Sequence, residues 1–81
     1  MVTPEQIEGY LHAKLDCPHL AVEGDGAHFQ AIIVCDAFDG KSRIQRHQIV
    51  YSALGDRMRE EIHALSMQTL TPAEWQARVP G

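Results

Sequence analysis

Apolar residues recur at helical spacing near the start of the chain, directly after a helix-capping signal. Thr3 precedes Pro4, which suits the first helical position, and Gln6 stands where a capping box requires a polar side chain. Pro18 stops the helix because the residue before a proline avoids helical backbone angles. The pattern predicts a first helix ending near Asp16, with an apolar face formed by Ile7, Tyr10, Leu11 and Leu15.

The next segment changes to the shorter apolar runs of a β-hairpin. Residues 19–23 and 28–35 are predicted as strands, and Gly24-Asp25-Gly26 between them supplies turn chemistry. The apolar run from Ala31 to Cys35 is nearly continuous. We therefore expect the second strand to be central in the sheet and more fully covered than the first.

A second capped helix is predicted after the Asp39-Gly40 turn. Ser42 can cap its start, and Gly55 is expected to end or kink it. Residues 57–61 are expected to add a further short helical turn. The packed face of this helical region is assigned to Ile44, Val50, Leu54 and Met58, with Tyr51 on the flank.

The last third of the chain predicts a half-buried strand that runs into a short helix. The strand spans His63 to Leu70, and its alternation points Leu65 and Met67 inward. The segment Thr71-Pro72-Ala73-Glu74 repeats the capping-box pattern. Trp75 then falls in the first turn, where it can anchor the last helix to the body.

The predicted order of elements is α-β-β-α-β-α. A helix that connects the second and third strands favours a parallel pair with a right-handed crossover, whereas the hairpin makes the first two strands antiparallel. The sequence thus predicts one α+β domain over residues 1–81, in which helices cover one face of a three-stranded mixed sheet.

Composition limits the classes of function. The 81 residues, 44% of them hydrophobic, suffice for one small core. The net charge is −4, with 11 acidic against 7 basic side chains, which argues against a surface shaped as a whole for nucleic acid but leaves a local basic patch open. The chain begins with a helix signal instead of a signal peptide and has no apolar run of membrane-spanning length, so we expect a soluble, cytoplasmic protein.

The two cysteines are far apart in sequence and form no CxxC pair, so we expect two reduced thiols. Cys35, at the end of an apolar strand, is expected to behave as a small buried hydrophobe. Cys17 is expected to be an exposed, incidental thiol.

Five histidines in a small acidic protein raise the question of a metal site. His12 and His19 are expected to be solvated surface residues, and His47 to be a surface or half-buried residue of the second helix. His28 and His63 stand at the starts of strands, next to turns, where a side chain can project from the end of a sheet. From spacing alone, ordinary strand-edge histidines remain the commoner outcome for both.

Two segments carry a resemblance to a known family: Phe38-Asp39-Gly40-Lys41-Ser42-Arg43-Ile44-Gln45-Arg46-His47, and Ile62-His63-Ala64-Leu65-Ser66-Met67-Gln68-Thr69-Leu70-Thr71-Pro72-Ala73-Glu74-Trp75. Over nearly its whole length the chain resembles the BolA family, in particular its short bacterial branch. The resemblance implies a fold similar to the class II KH arrangement of nucleic-acid-binding domains. It also implies that His63, in the Ile-His-Ala segment, is a metal-cluster ligand. A histidine or cysteine in the loop between the first two strands completes the family's ligand pair, and the match here is His28.

The resemblance further implies a partner. Two imidazoles cannot complete a [2Fe–2S] site, because the two irons need four protein or thiol ligands. In BolA-like proteins the implied arrangement is a heterodimer with a monothiol glutaredoxin, whose active-site cysteine and bound glutathione supply thiolates. The cluster would serve iron–sulfur trafficking or sensing and would be absent from the isolated chain, which is expected to be a monomer or a weak homodimer.

Two alternatives stay open. One alternative is DNA binding. Four residues with basic side chains or an imidazole lie at the start of the predicted second helix: Lys41, Arg43, Arg46 and His47. BolA-like proteins include transcription regulators, so the KH-like face could bind DNA and regulate stress or envelope genes. Against this, Gly24-Asp25-Gly26 replaces the GxxG loop of KH domains, and its aspartate would repel phosphate. The second alternative is an adaptor that binds glutaredoxin without any cluster. Motifs of the GxSxG and HExxH types are missing from the sequence, so we expect no enzymatic activity.

Overall fold

The computed structural model of the protein describes residues 2–62 and 64–78. Within these ranges it is an α+β fold with a three-stranded mixed sheet and four helices, as the sequence predicted. No helix in the described part of the chain is long and apolar enough to cross a membrane. The elements are α1 (Pro4–Lys14), β1 (His19–Gly24), β2 (His28–Val34), a 3-10 turn (Asp36–Phe38), α2 (Arg43–Leu54), α3 (Arg57–Glu60), β3 (Ala64–Leu70) and α4 (Pro72–Arg78).

The sheet has the strand order β1-β2-β3, so β2 is central as predicted. β1 pairs antiparallel to β2, with His19 opposite Val34. β2 pairs parallel to β3, with His28 opposite Ala64. The predicted hairpin and the parallel crossover through α2 are both confirmed, and the parallel pairing makes β2 and β3 begin at the same end of the sheet.

The helices begin where the capping residues predicted. The Thr3 hydroxyl accepts a hydrogen bond from the Gln6 N–H (3.2 Å), while the Thr3 N–H donates to the Gln6 side chain (2.9 Å). Ser42 and Gln45 form the same reciprocal pair at the start of α2. These bonds satisfy backbone groups that the first turn of a helix leaves unpaired. α2 ends at Gly55, whose φ of +60° is readily adopted by glycine.

The hydrophobic core lies between α1, α2 and one face of the sheet. Fully buried side chains of this kind each contribute about 1.5–3 kcal/mol to stability. Leu65 and Met67 of β3 are half-buried and pack against this core, which confirms their predicted inward direction. The buried residues at its centre are Ile7 and Leu11 of α1, Phe29, Ala31 and Ile33 of β2, and Val50 and Leu54 of α2.

The prediction for Ile44 was wrong. Its side chain is 71% exposed, whereas Val50 and Leu54 of the same helix are fully buried. Ile44 precedes Val50 by six residues, which at 3.6 residues per turn places it about a third of a turn away from the buried face. Ile49, which the sequence did not single out, is half-buried and packs against the core.

α4 packs against the other face of the sheet, where β2 and β3 end, so the prediction that helices cover one face only was wrong for this helix. Strand alternation directs His19 and Val34 to this face, and Val34 is nevertheless buried. The Trp75 ring stacks on the His19 ring with 4.5 Å between centroids. The anchoring role predicted for Trp75 is confirmed, but His19 is half-buried under this ring instead of solvated as expected.

The outer edge of the hairpin is joined to the first helix by a side chain. The carboxylate of Glu8, in α1, accepts a hydrogen bond of 3.2 Å from the backbone N–H of Val22 in β1. β1 is an edge strand, so this N–H has no neighbouring strand to pair with. The contact fixes α1 along the edge of the sheet.

Both cysteines are buried, with free thiols. Cys35 is 1% exposed, as expected for a small buried hydrophobe. Cys17 is only 8% exposed, so the expectation of an exposed thiol was wrong. The bend between α1 and β1 turns this side chain into the core cluster instead of toward solvent.

Candidate functional site

The candidate metal site lies at the end of the sheet where β2 and β3 begin. His28, the first residue of β2, is exposed, and its Cα partner in β3 is Ala64. His63, the other predicted ligand, directly precedes Ala64 in sequence and lies outside the described residues. The structure thus locates His28 and shows that its partner in β3 is Ala64, the residue that directly follows His63 in the sequence.

The turn before β2 holds the His28 backbone through a single aspartate. Asp25 Oδ1 accepts hydrogen bonds of 2.9 Å from the N–H groups of both His28 and Ala27. The Asp25 N–H in turn donates to the His28 carbonyl at 3.2 Å. The bonds from His28 and Ala27 hold the pKa of the Asp25 carboxyl below its usual value, because they stabilise the charged form.

In the turn between β1 and β2, the backbone at Gly24 also lies close to His28 and Phe29. A Cβ at position 24 would collide with the His28 carbonyl oxygen and would lie 2.9 Å from the Phe29 Cα. Phe29 itself is fully buried in the core. The backbone of His28 is therefore fixed by hydrogen bonds, and the next residue, Phe29, is fixed by packing. The His28 side chain itself is exposed.

The segment that leads into β3 is tied to α1. The Tyr10 hydroxyl and Glu61 Oε1 are 3.1 Å apart and hydrogen-bonded, and the Arg57 guanidinium lies 4.0 Å from the centre of the Tyr10 ring. Ile62 follows and is buried. Sequence reasoning missed this cluster, because Tyr10 is about fifty positions away from Arg57 and Glu61 and no local motif links them.

Other histidines lie elsewhere. His12 is exposed on α1 as expected, and His47 is half-buried on α2 with its ring edge-on to Tyr51 at 6.4 Å between centroids. Across residues 2–62 and 64–78, no three or more His, Cys, Asp or Glu side chains are grouped so that they could hold a metal ion.

A basic groove lies at the opposite end of the sheet. The four residues proposed for DNA contact, Lys41, Arg43, Arg46 and His47, do come together there, along the second half of β3. Arg78 of α4 also lines this groove and hydrogen-bonds the Gln68 side chain at 2.7 Å. Sequence reasoning did not include Arg78, since only the packing of α4 brings it to this place.

Arg46 is engaged inside the protein. Its guanidinium donates to the Lys41 carbonyl (3.0 Å) and the Thr69 carbonyl (3.1 Å), and it lies 2.7 Å from Glu74 Oε1. Glu74 also accepts the N–H of Thr71 at 2.8 Å. The hydrogen bond from Arg46, and then that from Thr71, lower the pKa of the Glu74 carboxyl to about 2. Arg46 thus joins α2, β3 and α4, and much of its charge is neutralised by Glu74.

Comparison with known proteins gives a consistent answer. Residues 3–74 match the sequence profile of the BolA-like protein family. The chain is 42% identical over 71 residues to the acid stress protein IbaG of Escherichia coli, covering 86% of this chain and 84% of IbaG. It is 42% identical over 80 residues to protein BOLA2 of Arabidopsis thaliana, covering 93% of this chain and 85% of that protein.

Solved structures agree with the sequence matches. The crystal structure of a Bol-like protein from Babesia bovis superposes with a TM-score of 0.85 at 36% identity, covering 96% of this chain and 94% of that one. This chain belongs to the BolA family.

Proposed function

We propose that this chain is an accessory protein of iron–sulfur trafficking or sensing, which partners a monothiol glutaredoxin and provides His28 and His63 as ligands of a shared [2Fe–2S] cluster. The observation that carries the proposal is the exposed His28 side chain, whose backbone is fixed by Asp25. The partner of His28 in β3 is Ala64, which directly follows His63 in the sequence. Membership of the BolA family adds to this support.

The donor set suits such a role. A neutral imidazole nitrogen is an accepted ligand of [2Fe–2S] irons, and it raises the reduction potential relative to an all-thiolate site. His28 and His63 together would supply two of the four ligands, so the thiolates of a glutaredoxin and its glutathione would supply the others. The cluster, when bound, provides one-electron redox chemistry. The chain itself contributes an exposed donor whose backbone needs no rearrangement.

Anaerobic cluster reconstitution with a monothiol glutaredoxin and glutathione tests the proposal. We expect the wild-type mixture to show visible absorption and circular dichroism distinct from those of glutaredoxin alone. His63→Ala and His28→Ala should each lose that spectrum. His12→Ala, at an exposed histidine of α1, is the matched control and should keep it. A wild-type spectrum identical to that of glutaredoxin alone would contradict the proposal.

The cluster-independent adaptor makes a different prediction in the same system. Binding to apo-glutaredoxin is measured by calorimetry without iron, for the wild type and for the double variant His28→Ala/His63→Ala. If the chain is an adaptor, the wild type and the double variant should bind apo-glutaredoxin with equal affinity, and the reconstitution experiment should show no heterocomplex spectrum. A cluster-sharing partner shows a heterocomplex spectrum that the double variant loses.

DNA binding is the second candidate function, and the basic groove is the observation that favours it. Lys41, Arg43 and Arg78 are exposed around this groove, whereas Arg46 is already paired with Glu74. We therefore expect Lys41, Arg43 and Arg78 to make the phosphate contacts of any complex. The experiment is a gel shift over a range of salt concentrations, with Lys41→Ala/Arg43→Ala as the test variant and Arg59→Ala on α3 as the control. Undetectable or salt-independent binding would remove this function.

A further inference from the structure

The structure brings the two cysteines together at the end of the hairpin. Cys35 directly follows β2, and Cys17 lies in the bend that leads into β1. The register of the hairpin, with His19 opposite Val34, makes these two flanking segments neighbours. The Cys35 thiol donates a hydrogen bond of 3.4 Å to the carbonyl oxygen of Asp16, which belongs to the peptide group that joins Asp16 to Cys17.

The side chains themselves also lie close together. Cys17 and Cys35 belong to the same buried cluster, and the proximity of Cys35 contributes to raising the pKa of the Cys17 thiol. A disulfide requires two cysteines whose Cβ atoms approach each other and whose side chains point together. Two free thiols in one buried cluster, with the Cys35 sulfur 3.4 Å from the carbonyl oxygen that precedes Cys17, meet part of this requirement.

We propose that Cys17 and Cys35 form a reversible intramolecular disulfide, with a low-molecular-weight disulfide such as oxidised glutathione as the electron acceptor. The bond would connect the segment before β1 to the end of β2 and enclose the whole hairpin, residues 17–35. This site is separate from His28 and does not depend on the proposed cluster function.

The exchange takes place in two balanced steps. Cys17, the more exposed of the two thiols, loses its proton and attacks one sulfur of oxidised glutathione, and the other glutathione sulfur leaves and takes up a proton. Cys35 then loses its proton and attacks the Cys17 sulfur of the mixed disulfide, and the second glutathione leaves and is protonated. Two protein thiols are oxidised to one disulfide, and one glutathione disulfide is reduced to two thiols.

The same burial makes the first step slow. Burial, followed by the proximity of Cys35, raises the pKa of the Cys17 thiol to about 12. The attacking species is the thiolate, which is scarce at neutral pH for such a group. We expect oxidation to accelerate as the pH rises, and the second step to be fast because Cys35 already lies in the same buried cluster.

Redox titration tests the proposal at equilibrium. The protein is incubated anaerobically at pH 8 in buffers of increasing ratio of oxidised to reduced glutathione. One series starts from reduced protein and the other from protein refolded in oxidised glutathione, so that slow access to the thiols cannot hide the end point. After alkylation of free thiols, intact mass gives the number of thiols and of bound glutathiones. We expect both thiols to disappear together, in one two-electron transition, with no glutathione retained.

Single variants and thermal melting complete the test. Cys17→Ala and Cys35→Ala each keep one thiol, which can remain free, bind one glutathione or link two copies of the chain, but cannot form the intramolecular bond. The oxidised wild type should melt higher than the reduced form, by on the order of 10 °C for a loop of this size in a chain this small. Wild type that keeps both thiols in the most oxidising buffer from both starting states, or that accumulates two glutathiones, would overturn the proposal. So would an oxidised form that melts lower than the reduced one.

Discussion

The two ends of the sheet are built in opposite ways. At the closed end, where β2 and β3 finish, Trp75 covers His19, Val34 is buried, and Arg46 pairs with Glu74. At the open end, where the same strands begin, His28 is exposed and is held through its backbone alone. Helix α4 accounts for much of the difference, since it packs over the closed end and leaves the other uncovered.

This contrast separates stability from binding. At the closed end, Trp75, Val34 and Arg46 are occupied by contacts within the chain, so changing these three side chains should mainly affect the free energy of unfolding. The His28 side chain is exposed, and no hydrogen bond from it is found among the described residues, so changing it should affect what the protein binds. A site held by backbone hydrogen bonds keeps its geometry whether or not a ligand is present.

The largest effect is expected beside the closed end. Phe38 is fully buried in the turn that follows β2, and Phe38→Ala should lower the free energy of unfolding by about 3–5 kcal/mol through lost burial and a residual cavity. Urea unfolding measures this change. Ile44→Ala, at the exposed position of α2, is the control and should stay within about 0.5 kcal/mol. A cost below about 1 kcal/mol for Phe38→Ala would contradict the packing described here.

A smaller effect is expected from the backbone of the open end. Gly24→Ala forces a Cβ against the His28 carbonyl and the Phe29 backbone, so we expect a loss of about 1–3 kcal/mol. Gly9→Ala is the matched control. Gly9 lies in α1 with nothing within 4 Å of an added Cβ, and this change should stabilise the protein by roughly 0.5–1 kcal/mol. If Gly24→Ala and Gly9→Ala changed the free energy of unfolding in the same direction, the close contact of Gly24 with the His28 carbonyl would be contradicted.

The ion pair of the closed end should make stability depend on pH. Because the folded-state pKa of Glu74 is lowered from 4.5 to about 2, its contribution is fully present above pH 4.5 and is lost as the pH falls toward 2. Melting temperatures of the wild type and Glu74→Gln are compared across this range. The advantage of the wild type should shrink steadily over that window, and a constant difference down to pH 2 would show that the carboxylate charge plays no part.

The smallest effect on stability is expected at His28. His28→Ala removes an exposed side chain and should change the free energy of unfolding by less than about 0.5 kcal/mol, as His12→Ala should. The two variants should differ only in cluster reconstitution with glutaredoxin. A large loss of stability in His28→Ala alone would mean that the open end is also a structural element.

Local signals in the sequence predicted most of the fold. The capping pairs at Thr3 and Ser42 determine where helices start through contacts three residues apart, so they are visible without a structure. The hairpin follows from turn residues between two apolar runs for the same reason. The ligand role of His28 was predicted from the resemblance to the BolA family, because its position beside a turn favoured by itself an ordinary strand-edge histidine. Its predicted partner His63 lies outside the described residues.

Distant contacts could not be predicted. The stacking of Trp75 on His19, the approach of Cys17 to Cys35 and the pairing of Arg46 with Glu74 each join positions 18 or more residues apart. These contacts depend on how the elements pack, which the patterns of single elements do not contain. The error at Ile44 is of another kind: its apolar side chain led to its assignment to the packed face, although helical spacing places it about a third of a turn away from Val50.

The hydrogen bond from Val22 to Glu8 has a consequence for association between copies of the chain. An unpaired backbone N–H on an edge strand can template the addition of a foreign strand, which is a common route to aggregation. The Glu8 carboxylate occupies that donor and places a negative charge beside it. An approaching strand would have to displace this carboxylate before it could pair with Val22, so the first helix also hinders intermolecular β-pairing at this position of the hairpin edge.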